Sequence, residues 1–259
     1  MTKRSRLLDR FGIAALLLLT ACQPSSSSTA REAELSPPRY QVSCPASEEC
    51  HESVALLVGL SAPREPTRCT AALIGPRTAV TAGHCVAWEI STGGACHDVW
   101  LGFPETPTRE AEWLGCAKIS AMSSPGDTLL APDYAVLQLR RATERIALPI
   151  GRGALKTGEV VRMVSVTQDR FYDDVHEVRT RRCVVDDGDD SSPWSPIAPP
   201  TVRVLSSCPI HEGNSGAPLL DRQGRMRGLV HAGGPPFFAF GLMTESDRIP
   251  EDASGARVH

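Results

Sequence analysis

From about residue 53 the chain repeats one kind of segment: a short run rich in Val, Leu, Ile and Thr, closed off by Gly, Pro, Asp or Ser. The runs are SVALLVGL (53–60), CTAALIG (69–75), RTAVTA (77–82), YAVLQL (134–139), EVVRMVSV (159–166), VRTRRCVV (178–185), TVRVLSS (201–207) and RMRGLVHA (225–232). Runs of six to eight residues with turn formers between them are the pattern of strands. No sustained 3.6-residue period appears beyond the N-terminus, so long amphipathic helices are not expected. The direct physical reading is all-β, a sandwich or a barrel. A break at 139–153 divides the runs into two similar halves.

The bulk numbers narrow the function classes. The chain has 259 residues, 41% hydrophobic and 22% charged, which is enough apolar material for a core of one large or two small domains. Net charge is −3 and aromatics are 5%, so neither a basic surface nor a base-stacking platform for nucleic acid is implied.

The N-terminus reads as an address. Lys3, Arg4, Arg6 and Arg10 precede FGIAALLLL (11–19), an apolar stretch of nine residues, and then LTAC (19–22). A basic start, a short apolar region and small residues form an export signal. Nine residues are too few for a bilayer, which needs about 20. LTAC resembles the lipobox of bacterial lipoproteins, which implies lipid on Cys22 after removal of 1–21. Gln23 rather than Asp at the next position resembles outer-membrane sorting in a Gram-negative host. Ordinary cleavage that leaves Cys22 as a bystander is the alternative. Residues 22–39, rich in Ser and Pro, read as a flexible spacer between the membrane and the domain. The domain itself is expected over about 40–250, with a frayed tail at 251–259.

Nine cysteines are an odd number: Cys22, Cys44, Cys50, Cys69, Cys85, Cys96, Cys116, Cys183 and Cys208. Assigning Cys22 to lipid leaves eight, an even set suited to disulfides in an oxidising compartment. A zinc site is the rival, but no C-x-x-C occurs and the Cys-His pairs are sequence neighbours, which rarely both ligate.

One segment asks for chemistry. HEGNSGAPLL (211–220) sets Ser215 between a Gly-Asn pair and a glycine. Such a stretch is a turn in any protein. It is also what a nucleophilic serine needs, with its hydroxyl reachable and nearby N–H groups bare. The second reading requires a histidine and a carboxylate. AVTAGHC (79–85) ends a β-branched run at His84, and APDYAVLQL (131–139) opens an alternating strand at Asp133. Asp98 is a rival carboxylate without that following strand, and the other histidines carry no such context.

TAGHC, PDYAVLQL and GNSGAPL, in this order, resemble the three motifs of the chymotrypsin-like (trypsin-fold) serine proteases, over roughly residues 50–245. The resemblance implies two six-stranded antiparallel β-barrels, about 50–140 and 155–245, with the site in the cleft between them. It implies that Ser215 attacks a carbonyl, that His84 moves the proton, and that Asp133 holds the imidazole. The N–H groups of Gly213 and Ser215 would form the oxyanion hole. It also implies a Cys69–Cys85 disulfide pinning the histidine loop. The other six cysteines allow fifteen pairings; Cys44–Cys50, Cys96–Cys116 and Cys183–Cys208 are expected from proximity or adjacent strands.

Departures from the family pattern carry information. Asn214 replaces the aspartate that pairs with a freshly cut N-terminus in the animal digestive enzymes, so no activation of that kind is expected. Pro209 occupies the place of the basic-pocket aspartate, which disfavours Arg or Lys at the cut site. GLVHAGG (228–234) resembles a pocket segment of bacterial glutamyl endopeptidases, implying a pocket of His231, Pro209 and Ile210 and a preference for Glu. Ile210 stands where those enzymes carry Ser or Thr, and a plain core histidine remains the alternative for His231. DDGDDSSPWSP (186–196) reads as a solvated acidic insertion without regular calcium-ligand spacing.

The expected protein is thus an exported, lipid-anchored, monomeric serine endopeptidase. It acts on protein or peptide substrates and calls for no cofactor or metal. A catalytically silent homologue acting as a binding module is the other class. The order His84, Asp133, Ser215 and the lack of βα alternation argue against an α/β-hydrolase.

Overall fold

The computed structural model describes residues 36–46, 49–59, 67–86, 92–123, 132–169, 172–186, 203–233 and 241–250. The chain divides into two units, 1–34 and 35–259. The first, which holds Cys22 and the segment expected to be a signal, lies outside the described residues, as do 187–196 of the acidic insertion and the tail 251–259.

Thirteen strands are described: β1 Gln41–Ser43, β2 Val54–Gly59, β3 Thr67–Gly75, β4 Thr78–Thr81, β5 Val99–Phe103, β6 Glu112–Met122, β7 Ala135–Leu139, β8 Val160–Gln168, β9 Val175–Asp186, β10 Arg203–Ser206, β11 Pro218–Leu220, β12 Met226–Gly233 and β13 Gly241–Glu245. The strands β2-β3-β4-β7-β6-β5 close into a six-stranded barrel. The other seven form a sheet in the order β1-β9-β10-β13-β12-β11-β8. Because β8 also pairs antiparallel with β9, six of these strands return on themselves and β1 is added to β9 in parallel. The two halves expected from the sequence are these two sheets, and the break at 139–153 is the connection between them.

Each expected strand is found, with ends moved by at most three residues. β2 shows why its run is apolar throughout rather than alternating. All six residues are buried, because the strand lines its own barrel and also lies against β8 and β9. β1, β5, β11 and β13 are not among the eight runs picked out in the sequence, nor is β6, where two bulges break the alternation.

One hydrophobic core fills the first barrel and runs on into Val164, Val166, Val178 and Leu229 of the second sheet. A second core holds Met163, Val185, Leu205, Ile210, Leu219 and Val230. The connection between the barrels is clamped by Arg145, whose side chain is 1% exposed. It pairs with Glu112 at 3.4 Å and donates to the carbonyls of Pro104 and Glu110 at 2.9 and 2.7 Å. Four disulfides are present, Cys44–Cys50, Cys69–Cys85, Cys96–Cys116 and Cys183–Cys208.

Candidate active site

The register of β4 against β7 explains how His84 and Asp133 meet. Thr81, the last residue of β4, lies opposite Ala135, the first of β7. His84 is three residues beyond one strand end and Asp133 two residues before the other, so both emerge at the same rim. His84 sits on a short 3-10 turn, Gly83–Cys85. Its Nδ1 lies 2.5 Å from Asp133 Oδ2, and its backbone N–H donates to Oδ1 at 3.1 Å. The carboxylate therefore grips both the ring and the main chain of the histidine. A neutral imidazole that donates a hydrogen bond from its Nδ1–H to this carboxylate keeps its lone pair on Nε2.

Ser215 lies on the loop from β10 to β11. The loop closes as a small reciprocal turn: Asn214 N–H donates to the His211 carbonyl at 3.0 Å, and His211 N–H donates to Asn214 Oδ1 at 2.9 Å. Asn214 is fully buried, and its Nδ2 has no partner among the described residues. Gly213 adopts φ +89°, a left-handed conformation that a side chain would resist, which is the local reason for glycine before Asn-Ser. Among the described residues, neither the Gly213 nor the Ser215 N–H donates to a protein acceptor. Ser215 and His84 are both partly exposed. No hydrogen bond joins Ser215 Oγ to His84 Nε2; that nitrogen lies 3.8 Å from Cys85 Sγ. Catalytic hydrogen bonds in unliganded sites are commonly long and tighten when substrate binds.

The two barrels are stitched together at the rim. Thr70 of β3 donates its N–H to the Ser215 carbonyl at 2.8 Å and its hydroxyl to the Gly213 carbonyl at 2.7 Å. On the other side, Asp133 N–H donates to Thr244 Oγ1 at 3.0 Å, and Thr244 Oγ1 lies 3.0 Å from His231 Nδ1. His231 is 2% exposed and tied to this chain of bonds. Ile210 packs inside the second core, while Pro209 is exposed. Sequence reasoning missed Thr70, Thr81 and Thr244. In a β-rich chain a buried threonine reads like any β-branched strand residue, and no sequence signal separates them.

The ligand atoms of Cys69, His84 and Cys85 lie within 4.8 Å of one another. Two of the three sulfur and nitrogen donors are joined in the Cys69–Cys85 disulfide, which removes the thiolates that would hold a metal.

The fold has counterparts. The family model for the trypsin-like peptidase domain matches residues 69–229, more than half of the chain. The chain belongs to the trypsin-like peptidase family. Among solved structures, GrC is similar at 16% identity, with a TM-score of 0.57 over 75% of this chain and 88% of that one. A scabies mite inactivated protease paralogue, S-D1, is similar at 14% identity and a TM-score of 0.57, over 75% and 87%. At these identities the likeness is one of fold. No curated protein matches the chain. The trypsin-like match begins at Cys69, takes in all three motif segments and ends at Leu229.

Proposed function

We propose that the protein is a serine endopeptidase that cleaves peptide bonds through an acyl-enzyme on Ser215. The observation that carries this reading is the double grip of Asp133 on His84, which orients the imidazole and leaves Nε2 as the acceptor. In that scheme His84 takes the Ser215 proton as the hydroxyl attacks, then returns it to the leaving amine. Asp133 stabilises the imidazolium. The N–H groups of Gly213 and Ser215 stabilise the oxyanion, where losing one donor typically costs about 10²–10³ in turnover.

The finer parts of the proposal rest on sequence. Export and a lipid on Cys22 would put the enzyme in the cell envelope, on the outer membrane in a Gram-negative host. Asn214, bonded within its own turn, makes activation by a new N-terminus unnecessary. Exported protein should therefore be active without further cleavage. A preference for Glu at the cut site follows from the GLVHAGG resemblance and His231, with Pro209 and Ile210 just before Ser215 in sequence as the other pocket positions.

The test is the domain without residues 1–22, assayed on a peptide library beside Ser215→Ala. Cleavage by the wild type and none by the variant is the expected result. If neither cleaves, the protein is a binding module on a protease fold; the mite paralogue's name records only that an inactivated protease can keep that fold. Equal cutting after Ala, Leu and Glu removes the Glu preference alone.

A further inference from the structure

Thr70 is a fully buried polar residue that joins three segments. The β3–β4 ladder ends at the Ala72–Val80 pair, so beyond it the edge of β3 is free to bind something else. What it binds is the loop that carries Ser215. Thr70 N–H donates to the Ser215 carbonyl, and the Thr70 hydroxyl donates to the Gly213 carbonyl. The same hydroxyl accepts from Val166 N–H at 3.0 Å, and the Thr70 carbonyl accepts from Thr81 Oγ1 at 2.7 Å. The approach is tight: a Cβ on Gly216 would stand 2.0 Å from the Thr70 carbonyl oxygen.

Consider the three successive peptide groups around the serine. The group between Gly213 and Asn214 is held at both ends, its carbonyl by the Thr70 hydroxyl and its N–H by the His211 carbonyl. The group between Ser215 and Gly216 is also held at both ends, its carbonyl by Thr70 N–H and its N–H by the Val230 carbonyl at 2.6 Å. The middle group is held by its Asn214 carbonyl, which accepts from Ala217 N–H at 3.0 Å. A trans peptide is planar with its N–H opposite its carbonyl, so the Ser215 N–H is aimed away from that bond. It is the unused donor in a run whose neighbours are both locked.

We propose that Thr70 is the positioning residue for the oxyanion donor. It touches no substrate. It acts through the two peptide planes that flank the Ser215 N–H, and it does so from the barrel that carries the histidine. Cys69, its neighbour, is bonded to Cys85, the neighbour of His84. One strand thus sets both the base and the anion site. The assignment rests on the peptidase reading.

The experiment compares wild type, Thr70→Val and Thr70→Ser on the best-cleaved library peptide and on a boronic acid of the same sequence, which forms a tetrahedral adduct with serine. Valine keeps the shape and removes the hydroxyl. The expected result is a fall in kcat of roughly ten- to hundred-fold, KM within about two-fold, a parallel loss of boronate affinity, and recovery of most of each by serine. Folded Thr70→Val with kcat within about two-fold of wild type overturns the assignment. So does a loss that serine fails to restore. If Thr70→Val does not fold, Thr81→Val, which releases the Thr70 carbonyl, must show the same kcat-selective loss, and a folded variant without it overturns the assignment. Wild type without turnover overturns the peptidase reading and this assignment with it.

Discussion

At the level of single residues, the candidate site depends on groups that are small as much as on groups that react. Gly83 precedes the histidine, and a Cβ there would stand 2.4 Å from Asp133 Oδ1. No rotamer of alanine avoids that, because the Cβ position is set by the backbone. Gly83→Ala should therefore push the carboxylate off both the His84 ring and its N–H, while leaving the barrels intact. The expected outcome is a loss of roughly 10²-fold or more in kcat/KM with an unchanged far-UV spectrum, since angstrom-scale misplacement costs about that much. The motif glycine was legible in TAGHC, but its reason was not. Only the folded chain puts residue 133 against residue 83.

At the level of elements, β1 is the clearest case of structure without a sequence signal. Three residues, Gln41–Ser43, pair in parallel with Val175, His176 and Glu177, more than a hundred residues away. Tyr40 packs edge-on against His176 with ring centroids 5.2 Å apart, and Arg68 lies over Tyr40. His176 is 2% exposed, and neither ring nitrogen has a hydrogen-bond partner of normal geometry among the described residues. Burial lowers its pKa, with Arg68 adding to the effect and Asp174 opposing it. His51 is lowered as well, by burial first, with Glu49 opposing and Arg162 adding. The sign follows from linkage. Below the unfolded value of about 6.5 the unfolded chain binds protons that these buried imidazoles resist. Stability should be highest above that pH and fall as the pH drops through it, by up to about 1.4 kcal/mol per pH unit for each such histidine. Urea midpoints at pH 7.5 and 5.5 measure this. His176→Phe, which keeps the ring and removes the titration, should shrink the difference. β5 and β6 were missed for another reason. VWLGF is short, and the bulges at Cys116 and Ile119 shift the side-chain alternation that marks a strand.

At the level of the whole molecule, two barrels meet at one rim, the core of the first runs on into the second beside the second's own core, and the disulfides close loops within them. Cys69–Cys85, Cys96–Cys116 and Cys183–Cys208 span 16, 20 and 25 residues. Each loop of that size stabilises by about 3 kcal/mol in the chain-entropy model. Together they rival the about 5–15 kcal/mol by which a domain is stable. The domain is therefore expected to lose its near-UV spectrum and bind a hydrophobic dye in reducing buffer, and to keep both properties without reductant. Retained structure after verified reduction of all four disulfides contradicts this. The sequence by itself determined the strand-rich class, the split into two halves and the His84, Asp133, Ser215 order, because these follow from local propensity and short motifs. It could not determine which edges pair, since a register such as Thr81 opposite Ala135 is chosen by the closure of the barrel. Nor could it single out Thr70 or Thr244 among many buried threonines. Their hydrogen bonds exist only once a strand of one barrel lies against a loop of the other, so tertiary structure alone gave those side chains their roles.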